Sequence, residues 1–116
     1  MSYPTPILDQ AIAARRHQNE QQRLATLEQV IFWLESKSQH YGIERAYVFG
    51  SLTRPYCFTQ RSDVDVAVET IYAEHFFTAI AQLSEQIERP VDLVELSKCP
   101  FADRIRQQGI LWTEKI

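Results

Sequence analysis

From Ile7 to Tyr41 the sequence contains neither glycine nor proline, a run close to a third of the 116 residues. Such a segment can be helical without interruption, and Gly42, directly after it, supplies a stop. In its second half Leu24, Leu27, Val30, Ile31 and Leu34 recur at helical spacing, which marks a face pressed on a core. A smaller apolar patch, Ile7, Leu8, Ala11 and Ile12, lies near its start. Between the two, Arg15 to Arg23 is polar on every side, so this stretch either projects into solvent or bends. The first patch suits docking on a partner or on a second copy of the chain; folding back on the domain is the alternative.

The rest of the chain is built of short, punctuated segments. Ala46 to Phe49 reads as a strand ending at Gly50-Ser51, and Leu52 to Arg61, with Pro55, as a loop with one helical turn. Asp63 to Val68 alternates and is rich in valine, so it predicts a second strand. Ala73 to Ile87 predicts a helix with Phe76, Phe77, Ile80, Leu83 and Ile87 on one stripe, ended by Pro90. Val91 to Leu96 predicts a third strand, Phe101 to Gln108 a short helix, and Ile110 to Thr113 an edge strand. The order α-β-loop-β-α-β-α-β predicts an α/β (α+β) domain, a small mixed sheet covered by helices. One domain over 1–116 is expected, with a helix over 1–41 and a core over 46–113.

Composition closes off several functions. With 12 Lys+Arg against 15 Asp+Glu the net charge is −3, too little positive charge for general nucleic-acid binding through many phosphates. No apolar run approaches the roughly 20 residues that span a bilayer, and Met1 to Pro6 lacks a secretory signal. Cys57 and Cys99 form neither a disulfide framework nor a zinc knuckle, which points to reduced thiols in the cytoplasm. His17, His40 and His75 are scattered along the sequence without zinc-site spacing.

Three features carry chemistry. Asp63 and Asp65 stand two apart on an expected strand, so both carboxylates share one face while Val64, Val66 and Val68 enter the core. Adjacent carboxylates repel unless a cation sits between them, and Mg²⁺ is held by one or two carboxylates plus substrate phosphates. Gly50-Ser51, just past a strand, allows a phosphate close to the backbone; Arg54 and Arg61 add positive charge in the same loop. Asp92 stands amid apolar strand residues, where an acid is costly unless paired or bound to metal. Beside the Asp63 to Val68 strand it would complete a carboxylate triplet; Glu69 and Glu95, at strand ends, are weaker competitors. Each feature alone has a bland reading: a solvated strand end, an ordinary turn, an edge acid paired with arginine. Jointly they describe two metal ions clamping a triphosphate for in-line attack by a hydroxyl. Tyr47, Tyr56 and Trp112 are aromatic candidates for stacking on a base, with core packing as the alternative.

Phe49-Gly50-Ser51-Leu52-Thr53-Arg54, followed by Ser62-Asp63-Val64-Asp65-Val66, resembles the Gly-Ser … Asp-x-Asp signature of the nucleotidyltransferase superfamily that includes DNA polymerase beta. Val91-Asp92-Leu93-Val94 resembles its third acidic strand. The short chain is similar to minimal nucleotidyltransferase (MNT) antitoxins of HEPN–MNT toxin–antitoxin modules. The resemblance spans Ala46 to Trp112, with two departures. Leu52 to Ser62 makes an eleven-residue spacer where ten is usual, and Pro55 replaces a frequent glycine.

The resemblance implies transfer of AMP from ATP to a hydroxyl, a tyrosine of a cognate HEPN-type toxin. Asp63, Asp65 and Asp92 would be catalytic and would hold two Mg²⁺ ions, while Gly50, Ser51 and Arg54 would bind the nucleotide. Two other readings are a non-enzymatic antitoxin that neutralises by stable complex formation, and a small-molecule nucleotidyltransferase. The second would need an acceptor-binding domain for which this chain has no residues. With three acids committed to metal, the nominal −3 balances to zero.

Overall fold

The computed structural model describes residues 5–114. The Gly- and Pro-free run forms one helix, α1, Thr5–Tyr41; residues 1–4 of the expected span lie outside the described residues. Its 37 residues extend roughly 56 Å at about 1.5 Å per residue, which sets the long axis of a 60 × 27 × 25 Å molecule. Gly42, at φ +73°, ends it as expected.

Four strands follow: β1 (Arg45–Phe49), β2 (Val64–Val68), β3 (Val91–Glu95) and β4 (Ile110–Thr113). The helices α2 (Phe76–Ile87) and α3 (Ala102–Gln108) connect β2 to β3 and β3 to β4. The sheet order is β3-β2-β1-β4; β1 runs antiparallel to β2 and β4, and β2 runs parallel to β3. The mixed sheet covered by helices is the architecture expected, with β4 at the edge.

Period-2 alternation divides the strands between two layers. Ala46, Val48, Val64, Val66, Val68, Leu93 and Trp112 pack on one face against Val30, Trp33 and Leu34 of α1 and Ala79, Leu83 and Ile87 of α2. The other face is thinner: Tyr47 and Ala67 meet Leu96, just after β3, and Ile105 of α3. The thick layer anchors the sheet, and the thin one leaves part of a sheet face open.

Several local expectations change. The Ala73 to Ile87 helix is a 3-10 turn (Ala73–His75) leading into α2. Phe77 is 80% exposed; α2 buries the 76, 79, 80, 83, 87 side, and Phe77 lies about 100° off it. The helix ends at Glu88, in left-handed backbone at φ 55°, two residues before Pro90. β2 begins at Val64, so Asp63 immediately precedes it, and Leu96 belongs to a 3-10 turn after β3.

In α1, Leu24 is 51% exposed and the inward positions beside it are Arg23 and Thr26. The polar middle neither bends nor merely projects: α1 continues through it, and its last residue, Arg23, is buried. The first turns do project, since residues 6–18 are exposed throughout, including Ile7, Leu8 and Ile12. The apolar tip does not fold back. Deleting residues 1–14 therefore should change unfolding free energy by no more than about 0.5 kcal/mol, checked by chemical denaturation.

Candidate active site

At the end of β1 the chain enters left-handed backbone at Gly50, φ +76°. A Cβ there would collide with Oδ2 of Asp65, so the residue must be glycine for two reasons, conformation and space. A single 3-10 turn, Gly50–Thr53, follows, pinned by the fully buried Leu52. Thr53 Oγ1 donates to the Gly50 carbonyl at 2.8 Å, and the Arg54 N–H donates to the Ser51 carbonyl at 3.1 Å. The Gly50-Ser51 backbone is thereby laid against the first residues of β2.

Pairing places Phe49 opposite Asp65, and Asp65 beside Asp92 on the parallel neighbour β3. Asp63, two residues before Asp65, belongs to the same face. All three acids stand at one end of the sheet, where β1 ends and β2 and β3 begin, on the thinly covered side. Asp65 is half-buried, while Asp63 and Asp92 are exposed. Burial pushes the Asp65 carboxyl above its ordinary pKa, and the negative charges of Asp92 and Asp63 push it further. Among the described residues, no ion pair involves any of the three.

The carboxylates form an open row and not a closed cage. Among the described residues, no three acidic, histidine or cysteine groups already converge as a metal site. The donor set still fits a hard divalent cation, which takes one or two carboxylates and completes its shell with water and phosphate oxygens. The mutual repulsion at Asp65 is the condition such a cation would relieve.

Beside Gly50 a cleft of about 420 Å³ separates the 3-10 turn from α3. Gly50, Thr53 and Arg54 line one wall; Phe101, Arg104 and Gln108 line the other, with Phe49 and Ile105 also contributing. Arg54 lines the cleft, whereas Ser51 does not and Arg61 is exposed elsewhere in the loop. Arg104 and Phe101 carry no motif. Their only sequence signal is spacing, since 101, 104, 105 and 108 share one helical face.

Tyr47 and Trp112 are buried core residues, which removes both as base platforms. Tyr56 is exposed but lies under Arg16 of α1, 4.7 Å from guanidinium carbon to ring centroid. The exposed aromatic at the cleft is Phe101. A larger groove of about 830 Å³ opens at the opposite end of the strands, lined by Gln39, Glu44, Arg45 and Glu69. It lies away from the aspartate row, and its Glu69 is committed to Arg106 at 2.7 Å. Two of the histidines separated in sequence come together outside that groove's lining: the His40 and His75 rings stack with centroids 5.1 Å apart.

Residues 33–115 match the family model described as polymerase beta, nucleotidyltransferase. The chain belongs to that family. The nucleotidyltransferase fold also recurs in solved structures at low identity. One described as a minimal nucleotidyltransferase superposes with TM-score 0.63 at 24% identity, over 75% of this chain and 93% of that one. A toxin–antitoxin structure with AMP-PNP gives 0.58 at 22%, over 76% and 73% of the two chains. The MntA-HepT toxin–antitoxin structure gives 0.55 at 21%, over 78% and 72%. No curated protein is recognisably similar in sequence.

A carboxyl whose pKa is raised by folding holds its proton more tightly in the folded chain. It favours the fold in acid and opposes it once pH exceeds the folded value. For this nucleotidyltransferase, Asp65→Asn therefore should raise Tm at neutral and alkaline pH without divalent cations, and the gap should shrink in acid. Scanning calorimetry across pH checks this. Gly50→Ala should go the other way, costing at least about 1–2 kcal/mol from left-handed backbone alone, read by denaturant titration.

Proposed function

We propose that this nucleotidyltransferase transfers AMP from ATP to a hydroxyl of a cognate HEPN-type toxin, a tyrosine, and thereby silences it. The observation that carries the reading is the alignment of Asp65 with Asp92, with Asp63 on the same face, at the end of the sheet where the Gly50 turn opens into the cleft. The toxin–antitoxin neighbours, one of them with AMP-PNP, support the choice of nucleotide and partner.

Asp63, Asp65 and Asp92 would hold two Mg²⁺ ions, which supply neutralising charge for the triphosphate and the departing pyrophosphate. Gly50 offers its backbone amide to the β- and γ-phosphates from the cleft wall, with Ser51 next to it in the same turn. Arg54 and Arg104 face the same cleft from opposite walls and meet phosphate charge there, and Phe101 offers its ring to the base. The acceptor oxygen attacks the α-phosphorus, a new P–O bond forms, and the bond to pyrophosphate breaks. Asp92, exposed at the row's outer end, accepts the hydroxyl proton. Because Asp63 and Asp92 face solvent, a protein surface can bring its hydroxyl to the row.

The exposed apolar tip of α1 favours a second reading, in which the chain neutralises its toxin by stable binding alone. One experiment separates the two. With labelled ATP, Mg²⁺ and the toxin, label should move to the toxin, and Asp63→Asn with Asp65→Asn should reduce transfer to background. Arg104→Ala should raise KM for ATP about tenfold, the effect of losing one hydrogen bond to a charged group. Label that never moves, with the double variant still protecting cells, would establish the binding reading.

A further inference from the structure

The eleven-residue spacer between Gly50-Ser51 and Asp63 is tied to the middle of α1 directly by three side chains and through Arg89 by a fourth, Gln22, and the sequence gives no hint of this. Arg23 is 8% exposed, an unusual state for a charged residue. Its guanidinium forms a two-pronged pair with Glu20, Nε to Oε1 and Nη2 to Oε2, both 3.0 Å. Its third arm, Nη1, donates to the Leu52 carbonyl at 3.2 Å, inside the Gly50–Thr53 turn. Glu20 in turn accepts the backbone N–H of Tyr56. Tyr56 holds left-handed backbone at φ 64°, which a non-glycine residue adopts only at a cost. Arg16 covers its ring.

The far end of the spacer is held as well. Arg89 donates to the carbonyls of Thr59 (2.9 Å) and Ser62 (3.2 Å), lies 4.2 Å over the Phe58 ring, and reaches back to Gln22 of α1 at 3.0 Å. Phe58 itself is buried. Glu20, Gln22 and Arg23 therefore support both ends of a spacer whose first residues line the cleft and whose last precedes Asp63. These α1 residues lie outside the 33–115 family match.

We propose that the Glu20–Arg23 pair of α1 is a positioning device for the nucleotide-binding turn: it fixes the Leu52 carbonyl and the Tyr56 amide, and through them Gly50, Ser51 and Arg54. The proposal rests on the cleft's being the ATP site. A part-buried Arg–Glu pair adds little net stability over apolar side chains of similar size. Its geometric specificity is the larger contribution, because a forked guanidinium has one orientation in which all three contacts form.

The test uses the full chain, with ATP and Mg²⁺ as probe. Arg23→Met together with Glu20→Gln removes the donor to Leu52 without leaving a buried unpaired charge, so this variant should fold. Glu20→Ala together with Arg23→Met is the second variant; it frees the Tyr56 amide as well, again without leaving Arg23 as an unpaired charge. The dissociation constant for ATP should rise about tenfold in each, the effect of one charge-assisted hydrogen bond. Amide hydrogen exchange should accelerate over residues 51–57 while β1, β2 and β3 keep their protection. Equal ATP affinity in wild type and variants, or accelerated exchange spread through the strands, would overturn the positioning role. Absence of ATP binding by the wild type would instead overturn the nucleotide reading on which it depends.

Discussion

Asp63, Asp65 and Asp92 share one end of the sheet, none of them in an ion pair among the described residues, and the rest of the fold has to hold that arrangement against its repulsion. The strain concentrates at Asp65, which is both desolvated and flanked by like charge. Backbone ladders keep it in place: its neighbours in β2 are bonded to β1 on one side and β3 on the other. Moving Asp65 away would require breaking a central strand. The energy that resists this comes from the opposite face, where Val64, Val66 and Val68 are buried against α1 and α2. Burying a valine side chain contributes about 1.5–3 kcal/mol, so a single strand carries the chemistry on one face and its anchorage on the other.

The same economy shapes the Gly50 turn. Its backbone can approach the carboxylate row only because no side chain intervenes, and the fully buried Leu52 two residues later keeps the turn from lifting off. The cleft between that turn and α3 is bounded on both sides by arginine, so positive charge is held next to, but not within, the carboxylate row. Separated charges of this kind suit a triphosphate, whose anionic oxygens can reach the arginines while its reacting phosphorus lies by the acids.

α1 divides into three physical regimes along its length. The last turns bury one side, Val30, Trp33, Leu34 and Tyr41, in the core. The middle, Arg16 to Arg23, meets the spacer through polar contacts, and the first turns stand in solvent with apolar side chains exposed. A periodicity argument identifies only the first regime, because it counts apolar residues and treats charged ones as solvated. Arg23 is inward because the buried Leu52 carbonyl needs a donor there; Leu24, one position on, turns outward although it is the apolar residue. Phe77 is a similar case on α2: it is as apolar as Phe76, but among the described residues it stays 80% exposed.

By itself the sequence determined the helix run, the four strand positions within a residue or so, the mixed α/β class, and the glycine and aspartate motifs. These depend on local rules: absence of helix breakers, alternation with period 2, and the special backbone of glycine. Only the tertiary structure decided that Asp92 stands beside Asp65, that α3 supplies the second wall of the cleft, and that Glu20 and Arg23 support the spacer. Those facts depend on strand order, helix direction and the partner of each buried polar group, which residues distant along the chain settle jointly when they pack. Local signals constrain which residues form an element; only packing brings two elements' side chains to one place.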